Sequence, residues 1–142
     1  NGTIKNLTVD SLRLSTMGYV TGGITGKNYG TIDGCHVTHA IISATAGYQI
    51  GGISGQGEGK ISNCSFSGHI TALGYMGGIV GRTSADIINC HAKGTLYMTG
   101  SAVFVGGITG YITGLTGENE RRSLKLTDSY FSGVIQASNN QE

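Results

Sequence analysis

Along this chain, apolar side chains alternate with small or polar ones in short runs, and Gly, Asn or Ser closes each run. Around Cys64 the apolar positions are Ile61, Cys64, Phe66 and Ile70, and near Gly77 the pattern resumes with Ile79 ahead of Gly81. Alternation of this kind places every second side chain on one face, which is the signature of a half-buried β-strand. No stretch carries apolar residues at the period of about 3.6 that an amphipathic helix needs. The pattern predicts an all-β chain of short strands.

The runs repeat. Gly22-Gly23-Ile24-Thr25-Gly26 returns as Gly51-Gly52-Ile53-Ser54-Gly55, Gly77-Gly78-Ile79-Val80-Gly81 and Gly106-Gly107-Ile108-Thr109-Gly110, with starts 29, 26 and 29 residues apart (51−22, 77−51, 106−77). A second phrase interleaves with it: Ile4-Lys5-Asn6-Leu7, Ile32-Asp33-Gly34-Cys35, Ile61-Ser62-Asn63-Cys64, Ile87-Ile88-Asn89-Cys90 and Leu126-Thr127-Asp128-Ser129. A third follows in Ser67-Gly68-His69-Ile70, Lys93-Gly94-Thr95-Leu96 and Ser132-Gly133-Val134-Ile135. Self-similarity at such a period marks a repeat architecture.

Three short strands and three corners fill one unit of roughly 28 residues. One winding per unit predicts a β-solenoid, like a parallel β-helix, of about four to five coils, with strands about 4.8 Å apart from coil to coil. Identical positions then stack into ladders: Ile4, Ile32, Ile61, Ile87 and Leu126 in one, Ile24, Ile53, Ile79 and Ile108 in another. Hairpins in a sandwich, or a small propeller, are the alternatives, although propeller blades usually need about 40 residues. Residues 1–142 read as a single repeat domain with an insertion at 111–125. Because the opening Asn1-Gly2-Thr3-Ile4 already lies inside a repeat, the chain reads as a fragment of a larger protein.

Composition narrows the function classes. Glycine supplies 26 of 142 residues, proline and tryptophan are absent, 12% of residues are charged and the net charge is +1. Glycine in register with Ile and Val is the mark of a folded object with tight corners. The basic residues are scattered apart from Arg121-Arg122, which argues against nucleic acid as a partner. No apolar run approaches the length of a membrane span.

Candidate chemistry is sparse. Cys35, Cys64 and Cys90 share one slot of the repeat, which Leu7 also occupies. The expectation is a structural ladder of buried free thiols, with a disulfide between neighbouring coils as the alternative; paired ligands of the C-x-x-C kind are missing. His36 and His91 each follow a ladder cysteine and should face solvent, while His39 and His69 have no periodic partners, so the four histidines do not predict a site. No nucleophile–base pair, metal motif or phosphate loop emerges. The expectation is no catalytic residue, no metal, no cofactor and no enzymatic activity. Two features remain. Tyr19, Tyr48, Tyr75 and Phe104 each precede a Gly-Gly phrase by two or three residues and could form a platform for sugar rings or an aromatic ladder packed on itself. Glu118, Glu120, Arg121 and Arg122 form the one dense charge cluster, within the insertion, and read either as a partner-binding loop or as a solvated one.

The two principal phrases together resemble the GLUG repeat of bacterial surface proteins, with Gly22–Cys35 closest to that pattern and Gly77–Cys90 following it less closely. In Gly51–Cys64 the polar turn is replaced by Gln56-Gly57-Glu58-Gly59, and in the fourth copy Ser129 stands where Cys is expected. The resemblance implies a non-catalytic structural or adhesive segment of a secreted or cell-surface bacterial protein. Such segments extend neighbouring domains or contact a host protein or glycan. It is similar also to the non-catalytic region of zinc proteases that cleave immunoglobulin A, which implies a substrate-docking alternative; the protease's metal motif has no counterpart here.

Overall fold

A computed structural model describes residues 2–100, 104–116, 120–121 and 123–138, at 115–116 and 120–121 for the backbone alone. The regular structure of the described residues is all β-strand, and short segments wind through four parallel sheets. The first sheet stacks Thr3–Lys5, Thr31–Asp33, Ile61–Ser62, Ile87–Ile88 and Leu126–Thr127. The second stacks Thr8–Asp10 with Arg13–Thr16, then His36–Ala44, Ser65–Ala72, His91–Met98 and Tyr130–Ala137. The third holds Val20–Gly22, Gln49–Gly51, Tyr75–Gly77 and Phe104–Gly106, and the fourth Thr25–Asn28, Ser54–Gly57, Val80–Thr83 and Thr109–Ile112. The result is a β-solenoid of four turns, followed by a further pass through the first two sheets.

Register follows the repeat. Ile4 lies beside Ile32, Ile32 beside Ile61, Ile61 beside Ile87 and Ile87 beside Leu126. Gly22, Gly51, Gly77 and Gly106 form a second column. Each coil thus repeats the last one strand spacing further along, and the buried Ile32, Ile53, Ile61, Ile79 and Ile87 fill a continuous interior. Each coil has four strand segments, where the sequence pattern predicts three. The Gly-Gly-Ile phrase bends in its middle, so Gln49–Gly51 and Ser54–Gly57 fall in different sheets instead of forming one strand and a corner.

Two corner chemistries explain why particular residue types recur. The third position of the Ile-x-Asn-Cys phrase is left-handed in every coil: φ is +54° at Asn6, +63° at Gly34, +52° at Asn63, +51° at Asn89 and +51° at Asp128. Gly, Asn and Asp tolerate that conformation best. The asparagine amides also form a ladder, Asn89 donating to Asn63 Oδ1 at 2.8 Å and Asn63 to Oδ1 of Asp33, the residue before Gly34, at 2.7 Å. At the other corner, the second glycine of each Gly-Gly pair faces the second sheet across the interior. A Cβ at Gly52 would overlap the Gly78 carbonyl oxygen and the Phe66 ring. The coil is thin there because nothing larger than glycine leaves room for Phe66.

Candidate functional site

The aromatic series forms one edge of the solenoid. Val20, Gln49, Tyr75 and Phe104 share a column, so Tyr19 and Tyr48 stand one residue ahead of Tyr75 and Phe104. The rings still meet. Tyr19 stacks on Tyr48 with centroids 5.0 Å apart and planes 2° from parallel, close to the coil spacing itself. Tyr48 then meets Tyr75 edge-on at 5.9 Å, and Tyr75 stacks on Phe104 at 5.6 Å. Tyr111, from the fourth sheet, closes the group at 5.1 Å from Tyr75. Its slot holds Lys27, Gln56 and Arg82 in the other coils, so the repeat offers no aromatic signal for it.

Parallel stacking spends ring faces on neighbouring rings. A sugar platform needs an open face, and the largest one left belongs to Tyr19, which is 64% exposed at the first coil. Tyr48 and Phe104 are also exposed, at 42% and 47%, so the strip is a run of ring contacts along a solvent-facing border.

The cysteine slot is buried and free of disulfides. Cys35, Cys64 and Cys90 are each fully buried, and each thiol donates to the carbonyl two residues before it: Asp33 at 3.5 Å, Ser62 at 3.0 Å and Ile88 at 3.4 Å. Ser129 occupies the slot in the last coil and makes the same bond, to Thr127 at 2.9 Å, while its oxygen accepts from the Cys90 N–H at 3.0 Å. The contact with Cys90, reinforced by burial, pushes the Cys64 thiol well above its ordinary range. An inert, protonated thiol follows. Leu7, the slot's apolar member, is 42% exposed at the first coil, so its size is no guide to what the interior accepts.

The insertion places Leu115–Thr116 antiparallel to Glu120–Arg121. Glu118 and Arg122 lie outside the described residues, as do the side chains of Glu120 and Arg121.

The histidines, unconnected in sequence, all fall on the second sheet. His36 Nδ1 lies 2.7 Å from Ser65 Oγ, and His91 stacks on Tyr130 at 5.2 Å. His39 occupies a β-bulge, an extra residue at φ +49° where the pairing register shifts between Phe66 and Gly68. Its Nδ1 is 2.7 Å from Asp10 Oδ1, and Thr38 donates to the same oxygen at 2.7 Å. Those two bonds, His39 first, lower the Asp10 carboxyl to about 2. Similarly the Asn63 amide, then the Ser62 hydroxyl, hold Asp33 below the ordinary carboxylate range. The bulge is what the sequence hides: a single extra residue breaks the spacing that would have aligned His39 with its neighbours. Among the described residues, no group of three or more His, Cys, Asp or Glu side chains is placed to hold a metal ion. Nor is any helix among them long and apolar enough to cross a membrane.

Comparison with known families matches the GLUG motif twice, at residues 46–71 and 72–97. These are the two abutting units centred on the phrases at Gly51 and Gly77, whose starts are 26 residues apart (77−51), whereas the stretch Gly22–Cys35 lies outside both matches. No curated protein and no solved structure matches the chain.

Proposed function

We propose that this chain, whose central coils are GLUG repeats, is a non-catalytic spacer and presentation domain of a bacterial surface or secreted protein. In that role it positions neighbouring domains and offers its flanks to host or cell-surface partners. The supporting observation is the parallel stacking of all four sheets from coil to coil, interrupted in the second sheet by the one bulge at His39. Such an element grows in length with every added unit and resists bending, because each coil is hydrogen-bonded to the next across its whole perimeter. The location outside the cell rests on the family resemblance, and burial of all three thiols suits it, since they are shielded from oxidants there.

The test is to change the number of coils in the full-length parent. Thr83 lies in register with Gly57, so deleting 58–83 joins equivalent positions and removes one turn. The spacer reading expects the shortened protein to fold, to reach the cell surface, and to hold its neighbours about 4.8 Å closer in solution scattering. Collapse of the fold, or unchanged dimensions, defeats it. Capture of immunoglobulin by the isolated chain would instead favour the docking role. Glycan binding lost in Tyr48→Ala would favour the aromatic edge as a sugar site.

A further inference from the structure

The second sheet carries Arg13, Lys93 and all four histidines of the chain, against a single acid, Asp10. Four of these side chains line one open groove of about 560 Å³ that runs across the coils, and successive coils contribute one each: Arg13, His39, His69 and Lys93. All four are exposed. The groove exists because the strands bend without side chains at its floor. Gly68 and Gly94 have φ of +151° and +133°, and a Cβ on either would overlap the backbone of the coil before it. At the His39 bulge, Arg13 donates to the His39 carbonyl at 2.7 Å, fixing the bank of the groove on that side.

We propose that this groove binds an acidic polysaccharide, its carboxylate or sulfate groups meeting the cationic side chains coil by coil. The inference goes beyond the spacer role and does not depend on it. The cations advance one coil at a time along the solenoid axis while alternating between two columns, Arg13 and His69 flanking Ile41 and Lys93 pairing with Ser67. That axial period favours a polysaccharide over other polyanions. Coils recur about every 4.8 Å, roughly the advance of a chain per pyranose ring. An extended acidic peptide places same-side carboxylates about 6.8 Å apart, and a nucleic acid strand carries a charge per about 3.4 Å of axis. The hydroxyl of Ser67, which lines the groove, suits the polar edge of a sugar.

Charge gives a second signature. Histidine as a side-chain type changes charge between about pH 5 and 8. The groups around these four include the cations Arg13 and Lys93, which share the groove with His39 and His69. His39 faces Asp10, and His69 lies in register with Ile41 and Thr95. His36 faces Ser65, and His91 faces Tyr130 and Ser65. Asp10 is the one carboxylate among them, and it is engaged by His39 and Thr38.

The experiment measures binding of the full chain to heparin, polygalacturonate, neutral dextran and poly-glutamate at low salt, at pH 5.5 and 7.5. The expected result is binding to heparin, polygalacturonate or both. It should be stronger at pH 5.5, weaker as salt shortens the screening length, and absent for dextran. Lys93→Ala with His69→Ala should cut affinity roughly threefold to tenfold. Asp10→Asn should raise it at pH 7.5. An unaltered melting temperature shows that the variants fold. Equal binding of dextran, tighter binding of poly-glutamate, no binding at all, or unchanged affinity in the folded double variant overturns the proposal.

Discussion

At the scale of single residues, this fold is governed by slots with narrow requirements. The left-handed corner of Asn63 was partly legible, because its column draws on Asn, Gly and Asp alone, and those residues share a tolerance for positive φ. Asn63→Ala keeps a Cβ in that conformation and breaks the amide ladder from Asn89 to Asp33; the expected loss is about 1–3 kcal/mol in urea unfolding. Asn63→Gly should lose less. The cysteine slot was misleading in one respect: Leu7 suggested that bulk is accepted, but its column position is open at the first coil. Cys64→Ser retains the bond to the Ser62 carbonyl and should cost about 1 kcal/mol, whereas Cys64→Leu overpacks a full interior and should cost about 1–3 kcal/mol more. Asp10 allows a sign to be tested. Its folded carboxyl is depressed to about 2, so its contribution is complete above the ordinary value near 3.8 and disappears as pH falls through 2. A carbon-detected titration should place its midpoint near 2, and His39→Ala should move that midpoint upward toward 3.8.

Elements were legible where a rule of period applies and illegible where a single backbone event intervenes. Alternation from Phe66 to Ile70 read directly as strand and the repeat spacing dictated parallel stacking, whereas the run through Ile61 and Cys64 turns a corner at Asn63 between two sheets. The division of the Gly51-Gly52-Ile53 phrase between two sheets was not readable, since a bend within a glycine pair leaves no mark in hydrophobic pattern. The His39 bulge was likewise silent, and with it the groove that collects Arg13, His69 and Lys93. Local glycines therefore differ in consequence despite identical phrases. Gly52 faces Phe66 and the Gly78 carbonyl with no space for a methyl group, while a Cβ at Gly57 would find Thr83 Oγ1 at 3.2 Å as its nearest neighbour. Gly52→Ala should lose about 3 kcal/mol or fail to fold. Gly57→Ala should stay within about 1 kcal/mol of the parent, because a small adjustment of Thr83 is offset by the narrower unfolded ensemble. Thermal unfolding of the pair side by side decides whether close approach or mere glycine content shapes the corner.

The whole molecule has two ends, and a solenoid treats them differently from its flanks. Terminal segments of a repeat domain, here 2–15 and 129–138, can cross its ends as caps. Thr3–Lys5, Thr8–Asp10 and Arg13–Thr16 instead continue the coil, as do Leu126–Thr127 and Tyr130–Ala137, with 139–142 outside the described residues. Among the described residues each of these strands pairs on one side only, at the edge of its sheet. Beside those open ladders, Ile4 is 36% exposed, Leu126 47% and Ile135 47%, although their counterparts Ile32, Ile87 and Leu96 are buried. An open parallel edge with an apolar cross-section pairs with whatever offers the complementary edge, and here the complement is the opposite end of a second copy. Head-to-tail contact of that kind does not close into a ring unless the rotation happens to match, so it propagates as short stacks. Light scattering of the 142-residue chain should therefore show average mass rising with concentration. Lysine in place of Leu126 and Ile135 puts charge on the edge and costs little in a half-open site; it should return the protein to monomer while leaving the melting transition nearly in place. A constant monomer mass for the unaltered chain at all concentrations would mean that its ends do not recruit each other.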